Sequence, residues 1–551
     1  MYVDRSTLRV RGTTYTRYLL RESYRAEGKV KHRTLLNLSR CPAEEIAALQ
    51  LALKHKGDLS PLVNVREALV LRQGLSFGAV WTLWEVAQRT GVAAALGRSR
   101  AGRLALWQVL ARAIDQGSRL SAVRLAGVHA ACDVLELPRF DEDDLYANLD
   151  WLAAEQPQIE QRLFAHRYRQ QPPQLFLYDV TSSYLEGTQN ELAAFGYNRD
   201  GKRGKRQIVI GLLTDQQGRP LSVEVFRGNT SDPTTFRAQV QKVAGRFGGG
   251  EETFVGDRGM IKTVQIEELA GEGFHYITAI TKPQIERLLQ QGVLQLGLFD
   301  ATLAEVTPVA GPRYVLRRNP LRAEEIAASR QDKWQRVAQD VAQQNAYLAE
   351  HRRANVAVAQ RKIVAKIQRL RLSGWLRVTA EDRRLSLAED RAALAEESKL
   401  DGCYCLKTDL DPQQAAKETV HERYKDLAHV EWAFRTCKTV HLEARPVYVR
   451  RASRTHGHAL VVMLAYLLVA ELARCWESLD RTVPEGLAAL TTLCTSEVSL
   501  SDRLRFQRIP EPCPLVQQLL AAAEVHLPAV LPHRNVRVTT KRKLPARRKT
   551  H

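Results

Sequence analysis

The sequence predicts an α/β protein: a mixed sheet flanked by helices, interrupted by a mostly helical insertion, with a small β-rich N-terminus and a helical second region. Two observations carry this prediction. Short apolar runs at 175–180, 207–214, 221–226, 253–257 and 276–280 fall in the order β-β-β-α-β-α-β, with helical patterns at about 232–247 and 261–271. Near-continuous apolar strands imply a sheet covered on both faces by helices. A long, charged, helix-patterned block at about 300–399 then intervenes before the same character resumes at GCYCLKT (402–408).

The remaining elements follow in chain order. Within residues 1–60, SYRAEGKVKHRTLL places Gly28 between two β-favouring runs, the signature of a hairpin. Residues 61–165 turn helical, as the spacing of Leu104, Trp107, Leu110 and Ile114 indicates. The acidic run Asp141–Asp144 precedes an apolar-periodic segment and reads as a helix N-terminus, where carboxylates cap free amides and meet the positive end of the dipole. Residues 166–299 and 400–530 then form one α/β domain split by the insertion at 300–399, with helices at about 417–441 and 456–476. Residues 531–551 form a basic tail, expected to lack structure when unbound.

Charge narrows the function. The 551 residues carry a net +20, and three stretches account for all of it. Residues 533–551 and 351–377 each hold eight Lys/Arg and no carboxylate, and RDGKRGKR at 199–206 holds five bases and one acid. Concentrated positive charge is the footprint of a polyanion partner. A membrane surface is excluded on sequence grounds: the N-terminus has no apolar signal segment, and the longest apolar run, Ala459 to Ala470, is shorter than the ~20 residues a span needs. Eight cysteines without a CxxC pair read as reduced thiols in a cytoplasmic protein, with no zinc site.

Three carboxylates stand out by placement. Asp179 lies inside an apolar strand, where a charge is costly without a partner. Asp257 ends TFVGD, and Glu431 lies in the helix HERYKDLAHVEWAFRTCK. In this strand order the first and fourth strands are neighbours, so the two aspartates face each other. Carboxylates that close repel unless a cation sits between them. Oxygen-only ligands select Mg²⁺ or Mn²⁺, and paired ions drive in-line phosphoryl transfer. On a single helix Tyr424, Glu431 and Lys438, seven residues apart, share a face, with Arg435 one turn beyond Glu431. Such a stripe suits phosphate.

YDVTS, VGDRGM and Y-x2-L-x3-E-x6-K resemble the signatures of DDE transposases of bacterial insertion sequences, in the branch carrying Y-x2-R-x3-E-x6-K. RESYRAEGKVKHRTLLNL, KTVHLEARPVYVR and RTHGHALVVMLAYLL are also similar to that family, so the resemblance covers most of the chain. It implies an RNase H-like catalytic domain whose metal-binding triad is Asp179, Asp257 and Glu431, holding two Mg²⁺, with Mn²⁺ as a substitute. It also implies that Tyr424 and Lys438 contact phosphates at the transposon end. Leu427 occupies the motif's arginine position and cannot bind phosphate; Arg435 is the expected replacement, with Arg423 nearby. Arg258, the loop bases Lys202, Arg203, Lys205 and Arg206, and the insertion bases Arg361, Lys362 and Lys366 complete the expected DNA contacts.

Smaller readings complete the sequence. His456 and His458 read as structural or phosphate-adjacent rather than metal ligands. Trp432 and Phe434 read as core, and Thr181 as a strand threonine near the metal site. The implied partners are double-stranded DNA, as inverted repeats and target, and a second copy of the chain. The implied location is the bacterial cytoplasm, on the nucleoid when bound. Two rival functions stand beside this one: an RNase H-fold nuclease without strand transfer, and a non-catalytic basic DNA-binding protein.

Overall fold

The computed structural model describes the chain apart from residues 11–12, 58–68, 170–172, 188, 200, 203, 249–251, 310, 439–441, 443–447, 501–503, 532–533 and 543–551. Arg203, most of the segment following Lys438 and the end of the basic tail therefore lie outside the described residues. The chain divides into two compact units.

The first unit comprises Met1–Ser76, Leu493–Pro512 and Pro528–His533. Strands β1 (Tyr2–Val10), β2 (Thr13–Ala26) and β3 (Lys29–Asn37) form an antiparallel sheet, followed by helix α1 (Ala43–Lys54). The expected hairpin is present: Glu27 and Gly28 both take positive φ, 53° and 72°. That two-residue turn matches the twist of the flanking strands. A second sheet holds β4 (Leu69–Ser76), β15 (Cys494–Leu500) and β16 (Leu504–Arg508), in the order β16-β15-β4. This corrects two expected boundaries. The 61–165 region includes the strand β4, and 493–512 leaves the catalytic region to pair with it. Partners more than 400 residues apart leave no local signal of their pairing.

The second unit holds the eight-stranded sheet. Its strands are β5 (Leu175–Tyr184), β6 (Gln207–Thr214), β7 (Pro220–Arg227), β8 (Thr253–Gly256), β9 (His275–Ala279), β10 (Ala304–Val306), β11 (Arg313–Arg318) and β14 (Cys403–Thr408), in the order β10-β11-β14-β9-β8-β5-β6-β7. β5, β6 and β7 are antiparallel in succession, whereas β8 runs parallel to β5 and β9 parallel to β8. This is the RNase H-like arrangement. β10 and β11 fall inside the expected insertion but belong to the sheet, because β11 pairs antiparallel with β14. The insertion proper therefore starts with helix α7 (Pro320–Glu350) and continues through α8 (Val356–Arg369) and the hairpin β12 (Leu376–Glu381)–β13 (Arg384–Glu389). It has its own core, with Val337, Ile363, Trp375 and Leu385 buried together.

One face of the sheet packs Phe176, Tyr178 and Val180 of β5 with Phe254 against Phe236 and Leu269. These last two come from helices α5 (Asp232–Val243) and α6 (Thr263–Gly271). Each such side chain contributes about 1.5–3 kcal/mol on burial. The opposite face is covered by α10 (Leu427–Lys438) and α11 (Ala452–Trp476): Thr181, Ile210 and Val223 of the sheet line one small cavity with Phe434, Cys437 and Met463. α11 is long and apolar enough to cross a membrane, yet 72% of its most apolar window is buried inside the protein. It packs on α3 (Arg100–Ile114) and α4 (Glu142–Arg167), which with α2 (Gly78–Arg89) form the helical second region.

The acidic run does begin α4: Asp141 caps the helix, and Asp141 and Asp144 form a reciprocal capping box. The tail departs from expectation. The carboxylate of Glu142, 1% exposed, accepts from the backbone N–H of Lys541 at 3.0 Å and of Arg542 at 2.7 Å. Lys541 also pairs with Asp141 at 2.7 Å, and Arg542 with Asp143 at 3.0 Å. Lys541 and Arg542 are thus laid on the acidic start of α4, and Arg534 donates its N–H to Asp133 at 2.7 Å and pairs with Glu136 at 3.3 Å.

Candidate active site

β5 alternates its side chains between the two faces. Phe176, Tyr178 and Val180 point into the α5–α6 core, so Asp179 and Thr181 face α10 and α11. The parallel register pairs Leu177 with Val255, which brings Asp179 level with Asp257, two residues further on each strand. Adjacent strands lie about 4.8 Å apart, so the two carboxylates leave neighbouring strands side by side.

The two aspartates are held alike. Asp179 Oδ1 accepts from the Val180 N–H at 2.7 Å, and Asp257 Oδ1 from the Arg258 N–H at 2.7 Å. Burial pushes the Asp179 carboxyl up to about 7; Glu431 and Asp257 add repulsion, while the Val180 amide and Arg199 oppose it. The field at Asp179 therefore registers both other carboxylates of the triad. Among the described residues no three His, Cys, Asp or Glu side chains close on a common point to hold an ion. The donor set nonetheless fits a hard divalent cation: oxygen atoms only, from carboxylates whose mutual repulsion a cation would relieve. Each aspartate gives one oxygen to its neighbouring amide.

The expected single helix bearing Tyr424, Glu431 and Lys438 is two helices. α9 (Lys417–Lys425) ends at Asp426, and α10 begins at Leu427. Tyr424 nevertheless reaches the site: burial raises its phenol, the Asp257 charge adds to this, and its hydroxyl hydrogen-bonds Asp257. Lys438, at the far end of α10, lines a cavity with Thr181. Arg435 is exposed on α10 and Leu427 half-buried at its start. Arg258 is exposed beside Asp257, and Arg423 is half-buried with its guanidinium pK lowered by desolvation.

Among the loop bases, Lys205 pairs with Glu186 at 2.9 Å, while Lys202 and Arg206 sit over the rings of Tyr184 and Phe195. Phe195 and Tyr197 are 64% and 81% exposed, so this loop interleaves aromatic faces with cations. Arg361 and Lys362 are exposed on the insertion, whereas Lys366 is paired with Asp340. His456 and His458 turn to different partners, Glu224 and Arg119, and form no ligand pair. Phe434 is core as expected; Trp432 is not, being 48% exposed. Arg199 is a further residue of the site that no motif marks. Its guanidinium bridges to Asp232 at 2.6 Å, its amide donates to Ser182, and its charge acts on Asp179. The only sequence signal was its place at the head of a basic run.

An RNase H-like sheet with Asp179 inside its first strand, level with Asp257 just beyond its fourth, defines an enzyme of phosphoryl transfer on nucleic acid. The chain belongs to the DDE transposases: the family described as Transposase DDE domain matches residues 170–468, and the N-terminal domain of the IS1634 family transposases matches residues 3–61. It is an insertion-sequence transposase. The family works with divalent metal ions. Among solved structures, the chain is similar to piggyBac transposase in a synaptic complex with hairpin DNA, at 10% identity, 75% coverage of each chain and a TM-score of 0.34. It is also similar to Mos1 transposase in a paired-end complex with the left transposon end, at 12% identity, 33% of this chain, 58% of that one and a TM-score of 0.14. No curated protein matches the chain.

Proposed function

We propose that this transposase binds the terminal inverted repeats of its own element, cleaves the ends and joins the freed 3′-hydroxyl to target DNA. Asp179, Asp257 and Glu431 would hold the divalent ions, two Mg²⁺ with Mn²⁺ as a substitute. Bound there, such ions stabilise charge on the attacking and leaving oxygens of an in-line displacement. The observation that carries this reading is the register of β5 on β8, which sets Asp179 level with Asp257 on neighbouring strands; burial and the charge of Glu431 push the Asp179 carboxyl up. A site of that kind is built for a cation.

The chain's own residues do the rest. Tyr424 fixes the free orientation of Asp257 through its hydroxyl. Lys438, Arg435 and Arg258 grip phosphates of the transposon end around the site, in the manner of the Y-x2-R-x3-E-x6-K branch. The exposed bases Lys202 and Arg206, Lys205 beside Glu186, and the insertion residues Arg361 and Lys362 extend that grip along double-stranded DNA. Cutting two ends together calls for two copies of the chain in the DNA complex.

The test uses DNA ends taken from the sequence flanking the gene, incubated with protein, target plasmid and Mg²⁺. Joined end–target product supports the reading. Nicks without joining would make the protein a nuclease, and binding without either would make it a DNA-organising protein.

A further inference from the structure

Trp432 is the residue the catalytic reading leaves unexplained. It follows Glu431 directly, so it projects about 100° round the helix from the carboxylate, on a different flank of α10. That flank opens onto a cleft of about 620 Å³ inside the second unit. Trp432 forms one wall with Tyr466 of α11, their rings 6.0 Å apart and inclined at 60°. Trp432 is 48% exposed.

The rest of the wall is cationic. Arg89 ends α2, Arg167 ends α4, Arg219 lies in the β6–β7 turn and Arg474 near the end of α11. Three carboxylates answer these four guanidiniums. Asp215 holds Arg219 at 2.7 Å, Glu471 is shared between Arg474 at 2.8 Å and Arg89 at 3.5 Å, and Glu524 reaches Arg89 at 3.9 Å. Four guanidiniums against three carboxylates leave the cleft net positive. An open indole face beside a net-positive set of arginines has the two parts of a nucleotide site: a stacking surface and a phosphate grip. The volume lies within the range of small-ligand sites, roughly 300–1,000 Å³. A duplex keeps its base faces covered by stacking and cannot offer one to Trp432.

We propose that this cleft binds an unpaired nucleotide, its base stacked on Trp432 and its phosphate held by Arg474 and Arg89. The inference rests on DNA being the substrate. Because Trp432 adjoins Glu431 on one helix, a strand crossing α10 passes from the catalytic face to the cleft. The same chemistry would accept a free nucleotide, and the experiment separates the two sources.

The probes are a dye-labelled oligothymidylate of about fifteen nucleotides and a duplex of equal length, bound to the full chain without divalent metal and read by fluorescence anisotropy. Trp432→Ala should weaken the oligothymidylate about tenfold or more, the scale of one lost base–aromatic stack. Trp432→Phe should retain most of the affinity, Arg474→Ala should also weaken it, and duplex binding should hold in all three. Thymidine 5′-monophosphate that displaces the oligothymidylate at sub-millimolar concentration supports the site and identifies free nucleotide as a ligand; no displacement by it, with the Trp432 effect intact, supports a DNA-borne nucleotide. Equal losses on both DNAs, or no loss on either, would overturn the cleft while leaving the transposase reading standing. A wild type that binds neither DNA would overturn both.

Discussion

Asp179→Asn should make the metal-free protein more stable while removing its activity. The ordinary carboxyl value is 3.8 and the folded value about 7. Between those values the folded state keeps a proton that the unfolded state has lost, so stability falls as pH rises and stays low above about 7. Three units at about 1.4 kcal/mol each set a ceiling of about 4 kcal/mol, and water around a half-buried group reduces this to about 2 kcal/mol. Asparagine is nearly isosteric and keeps the oxygen that accepts from the Val180 N–H at 2.7 Å, but carries no charge to desolvate or repel. Melting midpoints in EDTA at pH 5 and pH 8 measure the effect. The variant should melt higher than the wild type at both, by more at pH 8, and Mg²⁺ should raise only the wild-type midpoint. A variant no more stable than the wild type at pH 8, or an advantage equal at both pH values, would refute the reasoning.

Further predictions concern the frame and the DNA surface. Glu160, 0% exposed, accepts from Ser222 at 3.0 Å and pairs with Arg246 and Lys242. Glu160→Ala should cost about 3 kcal/mol in denaturant unfolding, because it takes the carboxylate from Arg246 and the acceptor from Ser222, while Lys242 keeps Glu224 at 2.7 Å. Removing residues 534–551 should cost about 1–2 kcal/mol through the lost partners of the Glu142 carboxylate, seen as a lower melting midpoint. Gly218 takes φ +75°, and a Cβ there would meet His429 Cβ at 2.7 Å. Gly218→Ala should therefore destabilise by more than the roughly 1 kcal/mol of the backbone conformation alone, against no change if the turn simply reopens. In salt titrations of end binding, neutralising Arg361 and Lys362 should flatten the slope by up to about 2, near 0.9 per lost phosphate contact. Neutralising Lys366, already paired with Asp340, should change it less.

The catalytic sheet was legible because its strands are buried on both faces and announce themselves as apolar runs. The run at 207–214 matches β6 residue for residue, and the 221–226 run differs from β7 by one residue at each end. The aspartates were legible for the same reason, since a charge inside an apolar run is conspicuous. What escaped depends on distance or competition. β4 is held in its sheet by β15, more than 400 residues away, and β10 and β11 resembled their charged surroundings. The Tyr424–Lys438 segment keeps a helical pattern through Asp426, so the break between α9 and α10 has no mark in composition. Trp432 looked like core because tryptophan in a helix usually is. The tail looked free because its acidic partners at 141–143 are remote in sequence.

The most direct test of the central claim is cleavage and joining of the element's own ends in Mg²⁺ by the wild type and by Asp179→Asn, Asp257→Asn and Glu431→Gln, with end binding measured alongside. All three variants should bind the ends as the wild type does and neither cut nor join. Undiminished cleavage in any one of them would contradict the assignment of these three carboxylates as the catalytic centre.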